Sequence, residues 1–321
     1  MAVTISTPIP TPMGWKLAHD IQKDDIVFDQ YGNQVVVRTT QISDVDKCYE
    51  VTFDDGLSIK GDKNLKLILQ DKTWRDKMSN NKKKTTRCRM IHKTLEELMD
   101  CPLVYPTNSK VYSLPMCMPV KYNTKDLPVP AYVFAVWYAS ITKLGRMWVN
   151  KRPIEKMRKI FRGYGFSIVT KKHRNGQFTF DIRPSVRDSF LFAGANIPTA
   201  IPIGYAQASV EQRIELIEGF CDANKIRFNS ARSKWEIRSP DYHFMRTMQG
   251  ILESLGMKTT LHSPFRDLYY TLAFSKNYDK PIVYGKNRRF VVKVEEIDAE
   301  KCVFIDTGTQ ILVGEGYLPI C

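Results

Sequence analysis

The sequence has no closely spaced pair of cysteines, and its seven cysteines are odd in number and scattered along 321 residues. It therefore lacks the pattern of a disulfide framework or of a structural zinc site, and we expect reduced thiols in a cytoplasmic protein. No apolar run approaches the roughly 18 residues of a membrane-spanning helix. The first residues also lack the basic region and long apolar core of a signal peptide, so we expect no membrane partner.

Acidic residues are in short supply as well. The chain has 48 Lys and Arg against 34 Asp and Glu, which gives a formal net charge of +14 and a pI near 9.4. Such an excess favours a nucleic-acid partner, although it is also compatible with a basic protein that its charge keeps in solution. With 43% apolar residues, the chain can form two or three packed domains, or one large one.

The first part of the chain has the pattern of a β-rich domain. Residues 7–70 alternate short apolar runs with turn residues, which is typical of short strands. Asp54, Asp55 and Gly56 form the strongest hairpin signal among them. Apolar runs within residues 289–319 predict further strands near the other end of the chain.

A basic segment follows this β-rich part. Residues 72–93 contain many Lys and Arg, among them Lys82, Lys83 and Lys84, with a single acid and one Trp. One interpretation is a solvated loop. The alternative is an arm that contacts phosphates, in which case its binding would depend strongly on salt.

Residues 208–225 predict a helix whose N-cap is Ser209, with Gln212 three positions later in a capping-box pattern. The helix also carries the small residues Gly219 and Ala223, four positions apart. A glycine inside a helix costs about 1 kcal/mol relative to alanine. We therefore expect Gly219 to allow the close approach of another backbone.

Residues 133–141 predict a second, almost wholly apolar helix behind a proline-rich entrance. Its small residues Ala135 and Ala139 are also four apart. Two helices with such faces can pack backbone to backbone, so we predict an interface formed by Ala135, Ala139, Gly219 and Ala223.

This helix pair resembles the two LAGLIDADG helices of a homing endonuclease of the type found inside inteins. The flanking sequence segments occur in the same order as in that family. They are residues 110–115 and 127–132 before the first helix, and residues 192–198 and 205–213 before the second. Residues 235–239 and 248–256 continue the match after it. The resemblance implies a domain with two helix–sheet halves.

The β-rich ends of the chain resemble the Hint splicing domain of inteins. The similarity covers residues 7–16, 24–32, 48–56 and 311–319. In that family a Cys or Ser opens the domain, and Ala2 holds this place here. The position of an activating His is taken by Leu65. The final His-Asn pair is also not found, so we expect splicing to be lost.

The endonuclease family places one carboxylate at the end of each motif helix, where the two acids hold Mg²⁺. The matching positions here are Ser140 and Asn224, which are both neutral. Asp222 is a nearby candidate ligand, and another acid is the alternative, but Asp222 lies about 200° away from Asn224 around the helix axis. We therefore expect cleavage to be lost or very weak, with no cofactor unless residual cleavage uses Mg²⁺.

In the same family, antiparallel sheets form a saddle in the DNA major groove. For any single cation an ordinary solvated charge is an equal alternative, but the set favours DNA contact. The candidates outside the basic segment are Lys171, Lys172, Arg174, Arg227, Arg232, Lys234 and Arg238.

The expected architecture is α+β, with a Hint-like β domain from residues 2–105 and 285–321 and an inserted LAGLIDADG-like domain at 106–284. The expected function is that of an intein-derived protein that binds double-stranded DNA without splicing or cutting. By resemblance, it would be a phage accessory or nucleoprotein component in the host cytoplasm. The alternatives are a homing endonuclease with residual or altered metal-dependent cleavage, and a protein-interaction subunit of a larger assembly.

Overall fold

The computed structural model describes residues 2–80, 90–139, 146–149, 154–166, 168–172, 174, 178–182, 200–264, 268–275 and 288–321. These residues form a mixed α+β structure, so the class predicted from the sequence is confirmed. The chain divides into two compact units. Unit 1 comprises residues 1–121, 252–260 and 275–321, and unit 2 comprises residues 122–251 and 261–274.

Unit 1 consists mainly of short strands from both ends of the chain. Its N-terminal strands are β1 Ala2–Thr4, β2 Pro8–Thr11, β3 Gly14–Leu17, β4 Ile26–Phe28, β5 Gln34–Val36, β6 Thr39–Ser43, β7 Cys48–Phe53, β8 Ser58–Asp62, β9 Lys66–Asp71, β10 Ile91–Thr94 and β11 Tyr112–Pro115. Its C-terminal strands are β19 Arg288–Ile297, β20 Cys302–Asp306, β21 Ile311–Val313 and β22 Leu318–Ile320.

One large sheet joins strands from the two ends. Its order is β21-β22-β9-β11-β19-β7-β8-β1-β20-β6, with β10 paired to β9. β19 therefore lies between β11 and β7, and β1 lies between β8 and β20. The inward side chains of these strands, such as Val51, Leu67, Val291 and Val303, form one continuous apolar core. Unit 1 is complete only when both chain ends are present.

The basic segment is not a loop throughout. α1 occupies Lys72–Asn80, and β10 begins at Ile91. Asp71 Oδ1 accepts a hydrogen bond of 2.8 Å from the backbone N–H of Trp74 at the start of α1. Lys72 and Asp76 form an ion pair one turn apart on the same helix. Such a pair stabilises the helix locally, and the count of charges alone did not predict it.

A buried ion cluster ties two turns of unit 1 to β19. The side chain of Arg289 is fully buried, and its Nε donates to Asp55 Oδ2 at 2.6 Å. Its Nη1 donates to the carbonyl oxygen of Gly316 at 2.9 Å, and Glu253 Oε2 lies 3.5 Å from its Nη2. The hairpin turn after β7 and the turn before β22 are thereby held against the same strand.

Unit 2 contains the following elements, of which α7 and β17 extend past its borders along the chain. The helices are α3 Ala131–Ala139, α4 Ile154–Gly163, α5 Ile203–Ala206, α6 Val210–Asp222 and α7 Tyr242–Ser254. The strands are β12 Arg146–Val149, β13 Ile168–Lys172, β14 Phe178–Ile182, β15 Ile226–Asn229, β16 Lys234–Ser239, β17 Thr259–His262 and β18 Tyr270–Phe274. The remaining helix, α2 Leu95–Met99, belongs to unit 1.

The same topology occurs twice in unit 2. Its first sheet has the order β12-β14-β13, and its second has the order β15-β16-β18-β17. Strands β16, β18 and β17 therefore repeat the arrangement of β12, β14 and β13. Along the chain, the first set follows α3 and the second set follows α6. In each set a further helix comes after the first strand: α4 after β12, and α7 after β16.

Both ends of α6 are fixed by local hydrogen bonds. Ser209 and Gln212 form the predicted capping box at its start. At its end, the N–H of Asn224 donates to Cys221 O and the N–H of Lys225 donates to Phe220 O. This pair of bonds is a Schellman motif, which requires a left-handed residue after the helix. Asn224 supplies it with a φ of +62°.

α3 and α6 pack closely at Gly219. A methyl group built on Gly219 would lie 2.6 Å from the carbonyl oxygen of Tyr132 and 2.7 Å from the Cβ of Ala135. Ala139 and Ala223 stand at the C-terminal ends of the two helices and are half-buried. The glycine thus sits where the backbones of the two helices approach each other.

Candidate nucleic-acid interface

The second sheet of unit 2 has one covered face and one open face. Ile226, Ile237 and Leu272 are neighbours across β15, β16 and β18, and all three are buried. Because successive side chains of a strand point to opposite faces, the residues between them lie on the other side of the sheet. This open face carries Arg227 beside Glu236.

The cations predicted on these strands all belong to the open face. Arg227, Lys234 and Arg238 are exposed, and their strand positions alternate with those of the buried Ile226 and Ile237. Glu236 is the only acid within β15, β16 and β18, and it is partly buried. The face therefore carries a net positive charge that suits phosphate.

Several of these side chains are held by neighbours. Arg232, in the turn between β15 and β16, places its Nη1 3.4 Å from Glu236 Oε1. Arg227 Nε donates to the carbonyl oxygen of Asn224 at 3.0 Å. The guanidinium of Arg238 lies over the ring of Tyr269, 5.5 Å from its centroid. These contacts restrict the cations without neutralising the face.

The structure describes the other residues that were predicted to contact DNA only in part. Lys171, on β13, and Arg174, just after this strand, are exposed. Lys172 is the last residue of β13, where the structure describes its backbone. Lys82, Lys83 and Lys84 lie outside the described residues. The structure therefore brings together Arg227, Arg232, Lys234 and Arg238, and it leaves the grouping of the others as a prediction.

The predicted acid positions of the two motif helices do not supply a carboxylate. Asn224 is the left-handed residue that ends α6, and Ser140 lies outside the described residues. Asparagine tolerates this backbone conformation better than most residues, so Asn224 has a structural reason for its place. Its neutral amide is a weak ligand for a hard cation.

Asp222 is bound in a cluster of its own. Its Oδ2 accepts a hydrogen bond from the Tyr132 hydroxyl at 2.7 Å and lies 2.8 Å from Lys156 Nζ. Glu218 Oε2 lies 3.6 Å from the same ammonium. The cluster joins α3, α4 and α6, and the α3 residue that contacts the Asp222 carboxylate is Tyr132.

The electrostatics of this cluster favour the paired state. Burial and the hydrogen bond to Asp222 raise the pKa of Tyr132, so its hydroxyl remains a donor. Burial alone would lower the pKa of Lys156, but the hydrogen bond to Asp222 and the charges of Asp222 and Glu218 outweigh it and raise the pKa. Among the residues that the structure describes, no three His, Cys, Asp or Glu side chains form a group that could hold a metal ion.

The positions that the splicing resemblance singled out converge in unit 1. A methyl group built on Gly61 would lie 2.6 Å from Ala2 O and 2.6 Å from Leu65 Cδ2. Lys66, next to Leu65, exchanges two backbone hydrogen bonds with Cys321. Ala2 and Leu65 are both buried. Neither side chain can act as a nucleophile or as a base.

Three residues of unit 2 were not among the site residues predicted from the sequence. Tyr132 and Lys156 hold Asp222, and Lys225 follows Asn224 directly. No local pattern could indicate the first two, because they meet Asp222 only in the folded chain. Lys225 was recognisable as one more cation after the motif helix, but its burial was not.

No protein-family model matches the chain. The replicative DNA helicase DnaB of Mycobacterium intracellulare is 21% identical over 349 residues, which cover 97% of this chain and 56% of that protein. The chain therefore spans just over half the length of this curated relative.

Inteins and a homing endonuclease are among the solved structures that are similar to the chain. The MchDnaB-1 intein is 29% identical with a TM-score of 0.20, over 21% of this chain and 52% of its own. A mesophilic variant of the homing endonuclease I-DmoI is 12% identical with a TM-score of 0.32, over 45% of this chain and 89% of its own. I-DmoI has also been solved in complex with DNA and Mn, at 11% identity and a TM-score of 0.32 over 46% and 91% of the two chains. These similar structures are an intein and a homing endonuclease, which are the two kinds of protein that the motifs of the chain resemble.

Proposed function

We propose that this chain is an intein-derived protein that binds double-stranded DNA without splicing and without cutting. The observation that carries the proposal is the open face of β15, β16 and β18, where Arg227, Lys234 and Arg238 lie on one side of the sheet. A two-stranded antiparallel ribbon such as β15 and β16 fits the major groove, where its cations can contact phosphates.

The side chains at the ends of the motif helices support binding without cleavage. Asn224 is neutral and fixed as the terminator of α6, and Asp222 is engaged with Tyr132 and Lys156. Metal-assisted cleavage needs carboxylates that hold the ion over the scissile phosphate. The residues at hand do not fit Mg²⁺, so no step is assigned to a metal.

The splicing positions support the other half of the proposal. Ala2 has no atom that can attack the preceding peptide, and Leu65 has none that can transfer a proton. Both are buried in the apolar interior of unit 1. This unit would then serve as a scaffold.

A gel-shift titration on random duplex DNA tests the binding. We expect low-salt binding that weakens as salt rises. Replacing Arg227, Lys234 and Arg238 with Gln should reduce the salt slope by about 2.7, at about 0.9 for each phosphate contact. The matched control replaces Lys47, Lys60 and Lys301, which are 54%, 41% and 62% exposed in unit 1. Absence of low-salt binding, or equal slopes for the two triple variants, would refute the proposed interface.

A nicking assay on a supercoiled plasmid library with Mg²⁺ or Mn²⁺ tests the absence of cleavage. We expect no nicked or linear product at protein concentrations that saturate binding. Metal-dependent product that disappears in Asp222→Asn would instead establish the alternative, an endonuclease with an altered ligand set.

A further inference from the structure

Lys225 occupies an unusual place at the end of α6. Its backbone N–H closes the Schellman motif, and its side chain is only partly exposed. The ammonium lies over the ring of Phe244, 5.1 Å from the centroid. That ring stacks on Tyr138 near the end of α3, with 5.7 Å between the centroids. The amine is therefore close to where both motif helices end.

The charge of this amine is poorly compensated. Burial lowers the pKa of Lys225, and the charge of Asp241 offsets only part of this effect. Within the described part of the chain, no carboxylate oxygen lies within 4.0 Å of its Nζ. A desolvated cation without an ion partner destabilises the folded state. An anion that arrives from outside would relieve this cost.

The neighbouring positions indicate which anion fits. Asn224 is neutral, and the residues present do not fit a metal ion. The fixed cation beside Asn224 is instead the ammonium of Lys225, and it adjoins the strand that carries Arg227.

We propose that Lys225 binds a backbone phosphate of DNA directly, next to the strand that carries Arg227 on the cationic face of the sheet. This inference rests on the proposed DNA-binding function and adds a specific contact to it. The contact requires no divalent cation. It also explains why the fold retains a cation whose burial costs stability: the phosphate supplies the counter-charge that the protein does not.

The test compares Lys225→Met with the wild-type chain on random duplex DNA in EDTA. One lost phosphate contact should lower affinity about eightfold at 0.1 M salt and reduce the salt slope by about 0.9. Lys225→Arg keeps the charge and should bind within about twofold of wild type. Wild-type binding should persist in EDTA, and adding Mg²⁺ should not strengthen it.

A stability measurement separates this role from a structural one. Thermal unfolding of Lys225→Met without DNA should occur at the same or a higher temperature than that of the wild-type chain, because a desolvated charge has been removed. Lys156→Met is the matched control, and it should unfold at a lower temperature because it leaves Asp222 without its ion partner.

The possible outcomes separate the phosphate contact of Lys225 from the DNA-binding function of the chain. If the wild-type chain binds DNA but Lys225→Met binds equally well, the phosphate contact is refuted and the DNA-binding function stands. If Lys225→Met binds weakly and also unfolds at a lower temperature, the lysine is structural and the contact is refuted. If the wild-type chain does not bind in low salt, both proposals fail.

Discussion

Replacing Gly219 with alanine tests the packing of α3 against α6. The added methyl group would lie 2.6 Å from Tyr132 O and 2.7 Å from Ala135 Cβ. An ordinary contact needs about 3.5 Å, so the helices would have to separate by nearly 1 Å. The carbonyl oxygen belongs to the backbone of α3 and cannot rotate away, so the whole helix would have to move.

The magnitude follows from two opposing effects. Overpacking of this kind costs about 3 kcal/mol at the upper end of its usual range. The higher helix propensity of alanine returns about 1 kcal/mol. We therefore expect a net loss of about 2 kcal/mol, which corresponds to a fall of about 4–8 °C in Tm for a unit of this size.

Thermal unfolding followed by circular dichroism at the helical band measures this loss. The matched control is Gly250→Ala in α7, where an added methyl group would meet no atom within 4 Å. This variant should be slightly more stable than the wild-type chain, because only the propensity gain remains. If Gly219→Ala is as stable as Gly250→Ala, the close approach of the two helices is wrong. Combining Gly219→Ala with Ala135→Gly should restore part of the stability, because it removes the clash with Ala135 Cβ. The restoration should be incomplete, because the clash with the carbonyl oxygen of Tyr132 remains.

Two further predictions concern unit 1. Asp55→Ala leaves the buried guanidinium of Arg289 without its 2.6 Å partner. It should destabilise the chain by about 3–5 kcal/mol, as measured by urea unfolding. The control Asp20→Ala changes a side chain that is 56% exposed and should have little effect. Burial raises the pKa of Cys302 to about 12, so its thiol stays protonated at mildly alkaline pH, and peptide mapping after iodoacetamide treatment should find Cys302 and the buried Cys48 unmodified until the chain is unfolded. Labelling of either thiol in the native chain would contradict its burial.

The sequence was sufficient where the determining interactions are local or periodic. The capping box of Ser209 and Gln212 needs only residues three apart, and it is formed as predicted. The small residue Gly219 indicated a close approach because a glycine inside a helix needs a reason, and the facing atoms of α3 supply one. The splicing and endonuclease resemblances likewise depended on motifs that can be read in order along the chain.

The rest depended on contacts between distant parts of the chain. Lys156 and Asp222 are 66 residues apart, and nothing near either residue indicates their 2.8 Å ion pair. Arg289 looks like one of many cations in the sequence, yet the fold buries it against Asp55. The helix at Lys72–Asn80 was not predicted. A run of cations indicates that a segment is solvated, but it does not specify the backbone structure of that segment.

The central position of β19 in the large sheet affects the chain while it is being synthesised. β19 lies between β11 and β7, but the ribosome makes it some 170 residues after β11. Until then, β7 and β11 each have an exposed hydrogen-bonding edge, which is the kind of edge that pairs with other nascent chains. α3 and α6, by contrast, are synthesised much earlier than β19. Unit 2 can therefore fold while β7 and β11 of unit 1 still lack β19. A chaperone that covers strand edges should therefore improve the yield of soluble protein most during synthesis of residues 116–287.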